Sequence, residues 1–217
     1  MCRNTDQNLY ALLLQTRENL PRMVTYTGSA VLSRSMPDRH MMVDIETCAI
    51  DPRAAIVAIG AVVFDPRGEE LGKQWATTIS IASNTIINRL ADPLTMQWWE
   101  QQDQEAQDAT FKGPQLDIRH ALTEFTGWIN RLRPTCTRIW AKDPDFDVAT
   151  LQNACKQLNI VWPFKFWEAR SCRTAMEMAY PMGDFPQMLM DGPKHDALAD
   201  ARVQALEIQH SFFVLGC

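Results

Sequence analysis

Residues 41–47 read MMVDIET, an apolar run that two acids interrupt. Because side chains alternate between the two faces of a β-strand, Asp44 and Glu46 share one face while Val43 and Ile45 share the other. Two neighbouring carboxylates on a central strand are costly unless a cation or hydrogen bonds compensate their charge. Their hard oxygen atoms suit Mg²⁺ or Mn²⁺ better than zinc. The stretch predicts a buried strand with a candidate metal site; the alternative is an edge strand with two solvated acids.

Further strand signals follow this stretch. AAIVAIGAVVF (54–64) and LGKQWATTIS (71–80) are predicted strands, and DPRGEE (65–70) between them is a predicted turn. Three strands joined so closely predict an antiparallel meander.

Helical patterns dominate the rest of the chain, with one short strand, TRIWA (137–141), among them. The clearest pattern is in residues 115–132, where apolar residues recur at steps of four and three, as on the buried face of a helix. Other predicted helices begin near residues 92, 147, 173 and 195, and residues 162–172 predict a turn or short strand. The order predicts an α/β fold, a mixed sheet with parallel strands beside the meander and helices on both faces.

Two later motifs add candidate site residues. In WAKDPDFDVATL (140–151), Asp147 follows the short strand and opens a helix, which is also what a simple helix cap would do. In KHDALADA (194–201), His195 precedes the first turn of the last helix, and Asp200 lies at the margin of the apolar stripe of that helix. Histidine exchanges protons near neutral pH. The plainer interpretation is that both are solvated residues at a helix start.

Composition limits the class of protein. The 217 residues suit one domain, and 46% hydrophobic with 22% charged residues is typical of a globular chain. The net charge of −5 disfavours nonspecific coating of nucleic acid. The six cysteines form no C-x-x-C pair, which disfavours a zinc module and indicates reduced thiols in a cytoplasmic protein. No apolar run is long enough for a membrane span.

Residues 1–40 are expected to be a helical or flexible extension, and residues 41–217 the main domain.

The three acidic motifs, in this order, resemble those of the DEDDh family of 3′–5′ exonucleases in the ribonuclease H-like superfamily. MVDIET, FDVATL and HDALADA carry the resemblance over residues 41–210. IVAIGAVVFDP (56–66) and the paired tryptophans of TMQWWEQQ (95–102) are most similar to the exonuclease VIII-like group of phages and prophages.

The resemblance implies a function for each of these residues. Asp44, Glu46, Asp147 and Asp200 would bind two Mg²⁺ or Mn²⁺ ions, and His195 would be the general base. The substrate would be the 3′ end of single-stranded DNA or RNA, and the product a nucleoside 5′-monophosphate. The segment after the first strand implies substrate contacts at Thr47 and Cys48. A base could stack on Trp98 or Trp99, although core burial is the alternative for each tryptophan.

Two other functions stay open at this point. The chain could be an exoribonuclease that trims RNA ends, since no short motif reports contact with the 2′-hydroxyl. It could also be an inactive module of the same fold that binds nucleic acid or a protein partner, although the intact acids and His195 disfavour this. The sequence leaves the oligomeric state open, a homodimer included.

Overall fold

The computed structural model describes residues 39–186, 188 and 194–217. Its centre is a sheet of five strands in the order β3-β2-β1-β4-β5. The strands are β1 (Arg39–Thr47), β2 (Ile56–Phe64), β3 (Leu71–Thr78), β4 (Cys136–Ala141) and β5 (Ala169–Ser171). The predicted helix within residues 1–40 lies outside the described residues.

The strand directions confirm the predicted mixed sheet. β1 pairs with β2 antiparallel, and β2 with β3 antiparallel, so the first three strands form the expected meander. β4 lies parallel to β1 on its other side, and β5 lies parallel to β4. β1 is therefore an interior strand, and the edge-strand alternative is wrong. It begins at Arg39, two residues before the predicted boundary of the main domain.

Seven α-helices occur within the described residues. They are α1 (Ile81–Ile86), α2 (Pro93–Glu100), α3 (Gln104–Phe111), α4 (Ile118–Leu132), α5 (Asp147–Gln157), α6 (Cys172–Ala179) and α7 (Ala197–Leu215). β5 lies within residues 162–172, where the sequence predicted a turn or short strand. α1 and α3 have no predicted counterpart, because α1 has six residues and QEAQDATF of α3 has too few apolar residues to show a helical period.

Helices cover both faces of the sheet because β1 alternates between two hydrophobic clusters. Met41, Val43 and Ile45 pack against α4 and α5 in the larger cluster. Met42 packs on the opposite face, with apolar residues of α6 and α7. The residues that α7 contributes to this second cluster are Ala201, Ala205 and Ile208. Asp44 and Glu46, in alternation with the larger cluster, therefore lie on the α7 face of β1.

One glycine allows α7 to begin directly against the sheet. Gly60 of β2 pairs with Asp44 of β1. A Cβ atom on Gly60 would lie 2.2 Å from the backbone carbon of Ala197 and 2.2 Å from the backbone nitrogen of Leu198. Only a residue without a side chain fits at this distance. The first turn of α7 is thus set beside the carboxylates of β1. Within the described residues, no helix is both long and apolar enough to cross a membrane.

We expect Gly60→Ala to lower the free energy of unfolding by about 1–3 kcal/mol, the usual cost of overpacking, because the first turn of α7 must move. Chemical denaturation measures this. The matched control is Gly127→Ala in α4, where the nearest atom outside the helix backbone would be 3.6 Å from the new Cβ, at the end of the flexible Arg131 side chain. Equal stability of the two variants would contradict the close approach.

Candidate active site

The carboxylates of β1 lie beneath the start of α7. Glu46 is 8% exposed and Asp44 is partly buried. The amide nitrogen Nε2 of Gln204, in α7, donates to Oδ1 of Asp44 over 2.8 Å. The two acids therefore share one face of β1, opposite Val43 and Ile45, as the alternation of strand side chains predicted.

Asp147 reaches the same region from another element. It is the first residue of α5, is 6% exposed, and its backbone N–H donates to the carbonyl of Asp143. The two other acids of the motif have different surroundings. Asp143 forms an exposed ion pair with Arg173 (2.8 Å), and Asp145 is exposed. Of the three, only Asp147 is buried.

His195 and Asp200 complete the cluster. A ring nitrogen of His195 and a carboxylate oxygen from each of Glu46 and Asp200 all lie within 4.8 Å of one another. Asp200 is in the first turn of α7, and His195 precedes the N-cap residue Asp196, whose side chain accepts from the N–H of Ala199. The six-residue segment from His195 to Asp200 thus brings an imidazole and a carboxylate together beside β1.

His195 is fixed from two sides. Its backbone has a φ of 61°, in the left-handed region that a non-glycine residue rarely adopts. The hydroxyl of Thr110, in α3, donates to its carbonyl oxygen over 3.3 Å. Its ring meets the ring of Trp98 edge to face, with centroids 4.8 Å apart, and that of Trp99 at 6.0 Å. α2 and α3 therefore hold the imidazole near the acids.

Burial raises the pKa of every acid in the cluster. Desolvation raises the pKa of Asp44 and Glu46 well above their ordinary values, and neighbouring negative charges raise them further. Desolvation raises the pKa of Asp147 from 3.8 to about 7, although backbone hydrogen bonds lower it in part. The pKa of Asp200 is raised by desolvation too, against the opposing charge of His195.

Little positive charge from the protein offsets these acids. Among the described residues, the ion pairs are formed by other carboxylates, such as Asp143 and Glu168. Lys142 lowers the pKa of Asp44 and Asp200, but desolvation is the larger effect at both. A cluster of largely buried carboxylates that forms no ion pair with a lysine or arginine among the described residues fits a hard divalent cation, which would supply the missing charge.

An open groove of about 470 Å³ adjoins the acids. Glu46 lies on its wall, and most of the remaining lining is apolar. Its apolar lining residues are Ile45, Ile50, Leu94, Trp98, Trp99 and Phe146. The groove offers a largely apolar space directly beside the carboxylate of Glu46.

The four residues proposed for substrate contact have different positions. Trp98 is 41% exposed and lines the groove. Trp99 lines it too but is 2% exposed, and its indole N–H donates to the carbonyl of Thr47 over 2.9 Å. Thr47 lies on the groove wall, and its hydroxyl donates to the carbonyl of Ala49. Cys48 is fully buried in a small cluster with Ala55 and Val57, so its thiol does not face the groove.

Gln204 is a site residue that the sequence did not reveal. A glutamine in the middle of a helix gives no local sign that it will be buried against a carboxylate. The signal that could have found it is spacing, because Gln204 follows Asp200 by four residues and so shares its helix face.

Residues 39–212 match the model of the 3′-5′ exoribonuclease Rv2179c-like domain family. The chain belongs to this family. It is a DEDDh-type 3′–5′ exonuclease, as the order of its acidic motifs predicted, and hence a hydrolase. The resemblance to the exonuclease VIII-like group stays a prediction.

Individual relatives of this exonuclease are distant. An exodeoxyribonuclease of Enterobacteria phage T4 is 23% identical over 198 residues, which are 78% of this chain and 87% of the relative. The nuclease domain of 3′hExo, a DEDDh family member bound to rAMP, is 16% identical with a TM-score of 0.54. The match covers 84% of this chain and 95% of that one.

A third relative is larger. E. coli exonuclease I in complex with a dT13 oligonucleotide is 15% identical with a TM-score of 0.58, over 81% of this chain and 41% of that one. The solved structures share the fold, which confirms the ribonuclease H-like mixed sheet.

The buried acids predict how stability changes with pH in the absence of metal. A carboxyl whose pKa is raised by folding binds more protons folded than unfolded, so stability is greatest at low pH and falls as pH rises. For Asp147, the fall begins above the ordinary value of 3.8 and continues through about 7. We expect Asp147→Asn to have the higher Tm at pH 8, with a smaller difference at pH 5, by calorimetry in EDTA.

Added Mg²⁺ should raise the Tm of the wild-type protein more at pH 8 than at pH 5, because a cation binds the ionised carboxylates of the folded state. Asp145→Asn is the control, since Asp145 is exposed. The account is contradicted if wild type and Asp147→Asn keep the same Tm difference at both pH values.

Proposed function

We propose that this exonuclease depends on divalent cations and removes nucleoside 5′-monophosphates from the 3′ ends of single-stranded nucleic acid. Asp44, Glu46, Asp147 and Asp200 bind two ions, Mg²⁺ or Mn²⁺, and His195 is the general base. The observation that carries the proposal is the convergence of Glu46, His195 and Asp200 within 4.8 Å, beside the partly buried Asp44 and the buried Asp147.

Each group has a chemical task in the proposed reaction. When bound, the divalent cations supply activation of a water and stabilisation of negative charge on the phosphate. His195 takes the proton of that water, whose oxygen forms a new bond to phosphorus. The bond between phosphorus and the 3′ oxygen of the preceding nucleotide breaks, and this oxygen is protonated from solvent. The acids hold their places throughout because three different elements fix them.

We propose that the terminal nucleoside binds in the groove. Trp98 offers a partly exposed aromatic face on which any base can stack, and this is worth about 1–3 kcal/mol per base. Three of the polar side chains on the groove wall, those of Thr47, Asp92 and Thr95, already have partners inside the protein. Asp92 accepts from the N–H of Leu94 and the hydroxyl of Thr95, and the Thr47 hydroxyl donates to Ala49. The groove therefore favours stacking over recognition of base edges.

A second candidate, an exoribonuclease, is favoured by the description of the matched family. The phage relative, by contrast, is named an exodeoxyribonuclease. RNA selectivity would need a polar group that meets the 2′-hydroxyl. Because the groove's polar side chains named above are already engaged, we propose that both DNA and RNA ends are accepted.

The test uses 5′-labelled single-stranded DNA and RNA of the same sequence, with Mg²⁺, with Mn²⁺ and with EDTA. Both substrates should shorten from the 3′ end only when metal is present. Degradation of RNA alone would establish the exoribonuclease. Intact substrates with folded protein and metal would contradict the proposal and favour a nucleic-acid-binding module.

Substitution of the proposed ligands and base should separate their functions. Asp44→Asn and Asp147→Asn should each lower kcat about 1,000-fold or more, as loss of a catalytic group does in hydrolases. His195→Gln should lower kcat by about 100- to 10,000-fold but leave Mn²⁺ affinity nearly unchanged, because His195 accepts a proton and is not a ligand. Initial rates and calorimetric titration with Mn²⁺ measure the two effects.

Asp145→Asn is the matched control for Asp147→Asn, since both change an acid of the same motif. It should keep wild-type kcat, because Asp145 is exposed. Wild-type kcat in His195→Gln would show that another group is the base. A large loss in Asp145→Asn would move the ligand assignment away from Asp147.

Removal of the aromatic wall should affect binding of the nucleotide. Trp98→Ala should raise KM about 10-fold, the loss expected for one stacked base. It should also lower kcat, since the ring supports His195. The control is Trp167→Ala beside β5, which removes a tryptophan that is 57% exposed and outside the groove. An unchanged KM in Trp98→Ala would exclude stacking on this residue.

A further inference from the structure

We propose that Gln204 is a positioning residue that fixes the Asp44 carboxylate for metal binding. Its Nε2 atom donates to Oδ1 of Asp44 over 2.8 Å, which leaves Oδ2 and the remaining lone pair of Oδ1 for a cation. The inference rests on the proposed function, because it concerns the metal site described there.

The position of Gln204 makes the contact rigid. The residue is 4% exposed and lies one turn after Asp200 on α7. The helix packs through Ala201, Ala205 and Ile208 on the same face of the sheet that carries Asp44. Helix α7 therefore carries the proposed ligand Asp200 and also Gln204, which holds the proposed ligand Asp44.

Packing alone does not explain a glutamine here. Its Oε1 atom is buried without a hydrogen-bond partner among the described residues, which carries a desolvation cost. A methionine of similar size would fill the space without this cost. The hydrogen bond that the Gln204 side chain does make is the one that its Nε2 atom donates to Asp44.

The amide is suited to this task because it has no charge. A lysine or arginine at this position would neutralise Asp44 and compete with a divalent cation. A carboxylate at this position would repel the Asp44 carboxylate. A neutral donor holds the ionised carboxylate and leaves its charge for the metal. Groups that orient metal ligands in this way are typically worth about 10- to 100-fold in metal affinity or activity.

Gln209 offers a matched comparison on the same helix. It is 7% exposed, and its Oε1 atom also lacks a partner among the described residues. Its Nε2 atom donates to the backbone carbonyls of Asp65 and Glu70, near the turn between β2 and β3. Gln204 and Gln209 are thus both buried on α7, and each has an Oε1 atom without a partner among the described residues. They differ in their acceptors, because Gln204 donates to a proposed metal ligand and Gln209 donates to backbone carbonyls.

The experiment compares Gln204→Met, Gln204→Asn and Gln209→Met with the wild-type protein. Methionine keeps the size but removes the donor, and asparagine keeps the amide but is one methylene too short to reach. Calorimetric titration with Mn²⁺, without nucleic acid, gives the Kd. The dependence of kcat on Mn²⁺ concentration gives a second value, and Tm in EDTA reports stability.

We expect both Gln204 variants to bind Mn²⁺ about 10- to 100-fold more weakly and to recover most of their kcat at saturating Mn²⁺. Gln209→Met should keep the wild-type Kd, even where its Tm falls. If the Gln204 variants bind Mn²⁺ as the wild-type protein does, the positioning role is overturned while the proposed function stands. If the wild-type protein itself binds no Mn²⁺, the proposed function is overturned and this inference with it.

Discussion

The structure depends on the burial of carboxylates that the protein does not neutralise. Asp44 and Glu46 lie on an interior strand, Asp147 joins them from the start of α5, and desolvation raises the pKa of all three. The folded state carries this electrostatic cost because the large hydrophobic cluster on the other face of β1 fixes the strand. One face of β1 therefore packs in the hydrophobic core and stabilises the fold, and the other face carries the proposed metal ligands Asp44 and Glu46.

The second constraint is the close packing of α7 on the sheet. Small residues permit it, with Gly60 beneath the first turn and Ala201 and Ala205 along the buried face. This packing fixes the positions of His195, Asp200 and Gln204 together, since all three belong to one short segment of chain. α2 and α3 then complete the site from the side, through the aromatic rings and the Thr110 hydroxyl that hold His195.

Much of this arrangement could be predicted from local patterns. The alternation in MMVDIET placed Asp44 and Glu46 on one face, and the order of strand and helix signals gave the mixed sheet. The assignment of Asp147 as a ligand rested on the resemblance alone, and the structure separates it physically from Asp143 and Asp145, because only Asp147 is buried.

The remaining features depend on contacts between segments far apart in sequence. The bond between Gln204 and Asp44 joins residues 160 positions apart, and the need for glycine at position 60 arises only when α7 lies above it. α3 has no apolar period of its own, yet it supports His195. Such features follow from tertiary packing, which propensity and periodicity do not report.

The central claim is that the buried acids of β1, α5 and α7 form one metal site. The most direct measurement is anomalous diffraction from crystals grown with Mn²⁺ and a nucleoside 5′-monophosphate. The account predicts two Mn²⁺ peaks among Asp44, Glu46, Asp147 and Asp200, with the nucleoside in the groove beside Trp98. Mn²⁺ peaks only elsewhere, or none at all in a crystal that contains the nucleotide, would contradict it.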